Sequence, residues 1–189
     1  VPFRMSDVVP RGLFAVPGLS AFPELNVRTY VTAHGRPGVW FFSLDAHQRL
    51  AVEVARRTYH LPYLYARMSC DRLADGWIHY RSARRDPRGG EAEFWARYRP
   101  TGSARTPPPD SLEHFLTERY CLYAADPAGR LYRGDIDHEP WPLQPAACEI
   151  ERLAMTESLL GFPLEGPPET VHFAGRLAVR AWSLRSAKQ

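Results

Sequence analysis

Four polar residues at alternate positions, Glu24, Asn26, Arg28 and Tyr30, form the chain's clearest concentration of chemically capable groups. Side chains alternate faces along a strand, so a carboxylate, an amide, a guanidinium and a phenol would stand in one row. If that row faces an interior, each charge needs a partner or a ligand, because an isolated buried charge is very costly. Arginine suits a bound carboxylate through its planar fork. A glutamate in a half-dry pocket has a raised pKa and can shuttle protons. Spacing alone favours the plainer alternative, a row facing solvent on an amphipathic strand whose other face carries Leu25, Val27, Thr29 and Val31.

A second constellation runs through Thr117-Glu118-Arg119-Tyr120 and returns through Arg133, Asp135, Asp137 and His138. Asp135, Asp137 and Glu139 share parity beside His138, an oxygen-rich pattern that a hard cation could use. Carboxylates two apart at a strand exit are more often rim residues, so no metal and no other cofactor is assigned. His138 and Trp141, set among Glu139, Pro140 and Pro142, place an imidazole and an indole at a strand end, with Trp141 as a packed anchor the competing reading. The histidines at 34, 47, 60, 79, 114 and 172 are isolated and read as surface or packing residues. No Gly-x-Ser-x-Gly elbow, phosphate loop, dinucleotide fingerprint or His-Glu-x-x-His motif occurs. The only lysine is Lys188, one residue from the end, which leaves imine chemistry without a nucleophile in this chain.

The elements that would position these groups are mostly strands. With 18 prolines and 13 glycines punctuating the chain, turns come too often for a helix bundle. Val1–Met5 already reads as strand, without a lead-in, which suggests that further N-terminal strands precede it. Alternation predicts a strand around Glu24–Val31, and the apolar run Val39–Leu44 predicts one buried on both faces. Trp77–Arg84 with Glu93–Arg99, and Tyr120–Ala124 with Arg130–Ile136, read as two hairpins. Cys148–Arg152 and a long final segment, Val171–Leu184, complete the strands, and Thr101–Asp110 reads as a surface loop. A helix is predicted behind an Asp45 cap with Gln48 in the capping-box position, carrying Leu50, Ala51, Val54, Ala55, Thr58 and Tyr59 on one face and ended by Pro62. Shorter helices are predicted over Ser111–Thr117, behind Asp110, and over Met155–Leu160. Many antiparallel strands with a few inserted helices imply a barrel or strongly curved sheet, forming one domain over residues 1–189.

Bulk properties remove several classes. At 189 residues, 44% hydrophobic and 24% charged, the chain suits one well-buried core rather than disorder. No apolar run approaches the roughly 18–20 residues of a membrane span, and no secretory leader pattern is present. The net charge of +3 comes from arginines scattered along strands, which is no nucleic-acid footprint. Cys70, Cys121 and Cys148 are odd in number and far apart, so a disulfide framework is not expected and the cytoplasm is the natural compartment.

The same stretches carry a family likeness. Val1-Pro2-Phe3-Arg4-Met5, Phe22-Pro23-Glu24-Leu25-Asn26-Val27-Arg28-Thr29-Tyr30-Val31 and Gly38–Asp45 resemble the YqjF-like family of uncharacterised bacterial proteins. Leu61-Pro62-Tyr63, Phe115–Tyr120 and Trp141–Ala146 do so too. That family is similar in fold to acetoacetate decarboxylase, an antiparallel β-barrel around a cavity. The resemblance therefore favours the inward reading of the Glu24 row and implies a mainly β (α+β) fold with two or three short helices. In the decarboxylases a lysine after a proline forms an imine with the keto acid; here Leu61-Pro62-Tyr63-Leu64 puts Tyr63 in that place, and a phenol cannot form one. Arg28 and Glu24 correspond to the wall residues.

The resulting expectation is a site for a small, acidic or oxygenated metabolite, with no nucleic-acid or membrane partner and with self-association left open. Glu24 would shuttle protons, Arg28 would clamp the anion, and Tyr63, Tyr30 and His138 would donate hydrogen bonds. Asn26, Glu118, Arg119 and Trp141 would complete the site. Lyase, hydratase or isomerase chemistry fits these roles. A non-catalytic binding or sensing domain with the same cavity is the alternative, and a barrel filled by its own side chains is the third.

Overall fold

A computed structural model describes residues 1–7 and 20–187; Lys188 lies outside them. Strand β2 (Phe22–Ala33) runs into β3 (Arg36–Ala46) through His34 and Gly35, both at positive φ, as a tight hairpin of right-twisted strands requires. Strand β1 (Pro2–Met5) pairs antiparallel with the start of β2.

The other edge of β3 is shared. Its end, Leu44–Ala46, pairs in parallel with the start of β4 (Tyr63–Arg72), and its beginning, Val39 and Trp40, pairs in parallel with Leu122 and Tyr123 of β7 (Cys121–Ala125). Parallel neighbours need a crossover, and α1 (Arg49–Tyr59) supplies the one between β3 and β4. At Gly38 a Cβ would meet Tyr123 Cε2 at 2.7 Å and Cys121 Sγ at 2.8 Å, so glycine is what lets β7 approach β3 there.

Two branches leave this fork. One runs antiparallel through β4, β5 (Ile78–Arg84), β6 (Glu93–Pro100), β9 (Leu143–Ala154) and β10 (His172–Ala174). The other runs from β7 to β8 (Leu131–His138), which takes the short β11 (Val179–Ala181) and β12 (Arg185–Ser186). Among the described residues the fold is mainly β with three helices, α1 together with α2 (Leu112–Thr117) and α3 (Glu157–Leu160). The sheet is mixed, and among the described residues it does not close, so barrel describes it only loosely. No described helix is long and apolar enough to cross a membrane.

The local signals explain most element ends and correct others. The cap of α1 is Gln48, whose side chain accepts from Leu50 N at 2.9 Å; Asp45 belongs to β3. Arg56 and Arg57 sit in the last turn, where the helix dipole favours cations, and His60 ends it in a left-handed conformation. Ser111 caps α2 through His114 N at 3.1 Å, in place of Asp110. The final segment is not one strand. Its first part pairs with β9 and its next with β8, so it crosses from one branch to the other.

One core cluster, including Leu25, Met68, Tyr80 and Phe94, fills the curve of the β4–β9 branch. A second, around Leu44, Leu61 and Leu122, packs at the fork, and a third, Phe22, Ala46 and Val52, sits under α1.

Candidate functional site

The register of β2 and β3 decides where the polar row points. Glu24, Asn26, Arg28 and Tyr30 pair with Ala46, Leu44, Phe41 and Val39, and the β-bulge takes up its extra residue at Phe42 of β3. The row on β2 therefore keeps one face throughout. Its burial grades along the strand: Glu24 is 2% exposed and Asn26 4%, while Arg28 and Tyr30 are half-buried.

At the buried end, Glu24 lies on the face that α1 covers, beside Ala46. Tyr63, first residue of β4 and opposite Leu44, donates to Glu24 Oε2 at 3.0 Å. Burial pushes the Glu24 carboxyl up to about 8, with Asp45 adding to the rise and the Tyr63 hydrogen bond opposing it. Burial first, then the neighbouring carboxyl, also holds the Tyr63 phenol well above its usual range. Near neutral pH Glu24 is thus mostly a neutral acid. The Tyr80 hydroxyl fixes the backbone at this point by donating to the Glu24 carbonyl at 2.7 Å.

On the opposite face, Arg84 at the end of β5 grips Asp45 through two bonds, Nε–Oδ1 at 2.7 Å and Nη2–Oδ2 at 2.8 Å, and also reaches Ser43 Oγ at 3.2 Å. Nearby, Arg88 sits on Asp86, which also accepts from Tyr65 N, and holds its carboxyl well below the usual range. None of these residues was expected in the site. The available signal was the alternation of Ser43 and Asp45 at the end of an apolar run, matched by Ser82 and Arg84 at the end of β5.

At the other end of the row, Arg28 Nη2 and the Tyr30 hydroxyl both donate to the Leu116 carbonyl, at 3.1 and 2.8 Å, closing the C-terminal end of α2. The Arg119 guanidinium lies 4.3 Å from the Phe115 ring and 5.5 Å from the Tyr30 ring, and Arg28 lies 5.7 Å from the same Tyr30 ring. Glu118 is 8% exposed; it accepts from the Tyr120 hydroxyl at 2.5 Å and from Trp141 N at 3.1 Å. His138 stacks on Tyr120 at 4.7 Å and meets Trp141 edge-on at 5.9 Å. Its ring nitrogens face the Glu139 and Arg119 carbonyls at 2.8 and 3.3 Å, and a neutral ring, with one N–H, donates to only one of them.

Four side-chain atoms in this region are buried without a partner: Arg28 Nε, Arg119 Nε, Trp141 Nε1 and Asn26 Oδ1. Neither arginine forms an ion pair among the described residues. Of the carboxylates weighed as metal ligands, Asp135 is bound to Arg133 at 2.9 Å and Asp137 faces Arg180 at 3.9 Å.

The expected residues therefore assemble into two groups. Glu24 and Tyr63 form one; Arg28, Tyr30, Glu118, Arg119, His138 and Trp141 gather around the end of α2, with Asn26 between. Four residues of strand separate Glu24 from Arg28, about 13 Å. Neither of two surface recesses, of about 420 Å³ beside Tyr120 and Trp182 and about 290 Å³ at the fork, is lined by Glu24 or Arg28.

Comparison with known proteins places this arrangement in context. The profile of the DUF2071 family, described as an uncharacterized conserved protein, matches residues 1–178. The uncharacterized protein YqjF of Bacillus subtilis is 45% identical over 185 residues, spanning 98% of this chain and 74% of that protein. Among solved structures, the enduracididine biosynthesis enzyme MppR complexed with pyruvate superposes with a TM-score of 0.55 at 16% identity, covering 91% of this chain and 68% of that one. Acetoacetate decarboxylase from Legionella pneumophila aligns more loosely, at a TM-score of 0.47 and 12% identity over 89% of this chain and 64% of that one.

Proposed function

The chain belongs to the DUF2071 family of uncharacterized conserved proteins, and we propose that within this fold it binds a small carboxylated metabolite at the end of α2, with Arg28 and Arg119 as the anion clamp. One observation carries this reading: two guanidinium Nε–H groups are buried without an acceptor. A buried donor left unsatisfied costs about 1–3 kcal/mol, and more when it is charged. A carboxylate admitted by movement of these side chains would remove that cost through charge-assisted bonds. The Trp141 indole N–H is a third free donor, and the Asn26 side-chain oxygen Oδ1 is a free acceptor suited to a hydroxyl on the ligand. That MppR, of similar fold, is complexed with pyruvate agrees with the ligand class.

Acid/base chemistry is the second reading, favoured by the Glu24 carboxyl, whose pKa near 8 lets it hold a proton at neutral pH and give it up with little driving force. Glu24 would serve as the proton store and Tyr63 as its orienting partner. With no lysine among the described residues, the chemistry proposed uses no imine. Lyase, hydratase or isomerase steps fit, on a ligand long enough to span the strand from Arg28 past Asn26 to Glu24, about 13 Å. Binding or sensing without turnover is the alternative. The three free thiols suit the cytoplasm.

Native mass spectrometry of the purified protein, followed by turnover assays on whatever acid is retained, tests both readings. Loss of turnover with retained binding in Glu24→Gln supports catalysis. Binding with no turnover in the wild type leaves the sensing reading, and an Arg28→Met protein that retains the same acid undisturbed removes the anion clamp.

A further inference from the structure

Where the final segment crosses onto β8 it builds a concavity that the anion site does not use. Trp182 N donates to the Asp135 carbonyl at 3.0 Å, and Leu184 lies against Gly134, where a Cβ would meet Leu184 Cδ2 at 3.1 Å. Anchored at these points, the segment holds Trp182 and Arg185 beside β8. With Arg36, Tyr120, Asp135 and Asp137 they line the recess of about 420 Å³. That volume falls within the roughly 300–1,000 Å³ of small-molecule pockets.

The charges around the recess say what kind of occupant it suits. Arg185 of β12 pairs directly with Arg133 of β8, and like charges opposite one another across a strand pair repel. One carboxylate is supplied there, and Arg133 takes it: its Nε lies 2.9 Å from Asp135 Oδ1. Asp137 in turn faces Arg180 at 3.9 Å. Arg36 and Arg185 are left at the recess with no ion pair among the described residues. Two uncompensated guanidiniums at one concavity suit a dianion, and the planar fork of arginine suits phosphate. Both residues are exposed, so a ligand reaches them without rearrangement of the core.

The rest of the wall is aromatic and preset. Tyr120 is 43% exposed, yet its hydroxyl donates to Glu118 at 2.5 Å and its ring stacks on His138 at 4.7 Å. A ring already held in place loses little freedom on binding. Trp182 is half-buried and is fixed through its main chain. An indole and a phenol beside two free cations offer a stacking surface to a planar ring carried by the same molecule. Asp137, more than half exposed, is an acceptor for hydroxyls.

We propose that this recess binds a phosphorylated compound carrying a planar ring, of the nucleoside monophosphate class. The phosphate lies between Arg36 and Arg185, the ring stacks on Trp182, and sugar hydroxyls donate to Asp137. This ligand differs from the small carboxylate proposed for Arg28 and Arg119, which brings neither a second charge nor a ring, although Tyr120 stands next to both places.

Adenosine monophosphate, adenosine and inorganic phosphate are the probes: ring and charge together, then each alone. Their binding is read from the backbone and indole N–H resonances of the wild type at low ionic strength. The inference expects the monophosphate to shift Asp135–Asp137 and Trp182 and to bind at least tenfold more tightly than either fragment. Arg36→Met,Arg185→Met should weaken it tenfold or more while leaving adenosine within twofold. Trp182→Leu should weaken it several-fold with little change for inorganic phosphate. Arg97→Met, an exposed arginine on the other branch, should leave it unchanged. Equal affinity of the wild type and the double arginine variant overturns the inference. Inorganic phosphate binding as tightly as the monophosphate marks an adventitious ion only and also overturns it. Shifts confined to Leu116–Arg119 assign the monophosphate to the anion site, and no shift at any position shows no binding; either result overturns the inference without touching the carboxylate reading.

Discussion

Arg84 is buried where β5 meets β3, Arg28 and Arg119 are half-buried around the end of α2, and they are provided for in opposite ways. Arg84 has its carboxylate: Asp45 accepts from its Nε and Nη2 at 2.7 and 2.8 Å, and the pair is almost wholly removed from water. Arg28 and Arg119 have carbonyls and aromatic rings around them and form no ion pair among the described residues, the nearby Glu118 carboxylate being bonded to Tyr120 and Trp141, and each keeps a buried Nε–H without an acceptor. Where arginine ties β5 to β3, the chain supplies the counter-ion. At the end of α2 it does not, and that difference is the argument for a ligand.

The largest expected effect comes from breaking the provided pair. Asp45→Asn leaves Arg84 buried and uncompensated, and urea denaturation should show a loss of about 3–5 kcal/mol. Arg28→Met should change stability by about 1 kcal/mol or less, because it loses one bond to the Leu116 carbonyl, which Tyr30 still serves, and a 5.7 Å contact with the Tyr30 ring. Equal losses at the two sites would erase the contrast.

The next effect is a pH dependence at Glu24. Its carboxyl titrates near 8 when folded and at its ordinary value of 4.5 when unfolded, so between those values the folded state holds the extra proton. Stability is fully present below about 4.5, falls as pH rises toward 8 by at most about 1.4 kcal/mol per unit, and is flat above. Glu24→Gln should flatten this decline without lowering stability at pH 5, which denaturation series at several pH values will show.

Smaller still, Tyr63→Phe should cost about 1 kcal/mol at pH 5 and move the upper end of the Glu24 window above 8, since the lost hydrogen bond had favoured the carboxylate. At the bottom of the scale lies the exposed pair Arg97–Glu149, at 2.7 Å; Glu149→Ala should change stability by less than about 0.5 kcal/mol. A larger loss there would mean that solvent-facing arginines in this sheet are structural after all.

How far this contrast was legible beforehand differs by element. The row Glu24, Asn26, Arg28 and Tyr30 could be read directly, because a strand's period of two needs no tertiary information. Both hairpins were readable from alternation and turn residues, and α1 was readable as a helix but not in its packed face: Leu50, Val54 and Thr58 of the expected face are exposed, and Val52 is the residue it buries. Strand β4 was not readable, because Tyr63 and Tyr65 put aromatic rings on the face that α1 covers, so both faces of the strand are apolar and the alternation of Leu64, Ala66 and Met68 is hidden. The parallel pairings of β3 with β4 and β7 were invisible for a different reason: they join residues far apart in sequence, and no local pattern encodes them. Asp45 reads equally well as a helix cap or a buried anion. Arg84, 39 residues away, decides between them. The unpartnered Nε groups could not be read at all, since a missing acceptor is a property of the whole packed neighbourhood.

Isothermal titration of pyruvate into the wild type and into Arg28→Met,Arg119→Met, at low ionic strength and with both proteins shown to be folded, tests the central claim most directly. The account predicts saturable binding to the wild type and at least a hundredfold weakening in the double variant, about 2.7 kcal/mol. Equal affinity in the two proteins would contradict it, and so would a wild type that binds neither pyruvate nor any other small carboxylate.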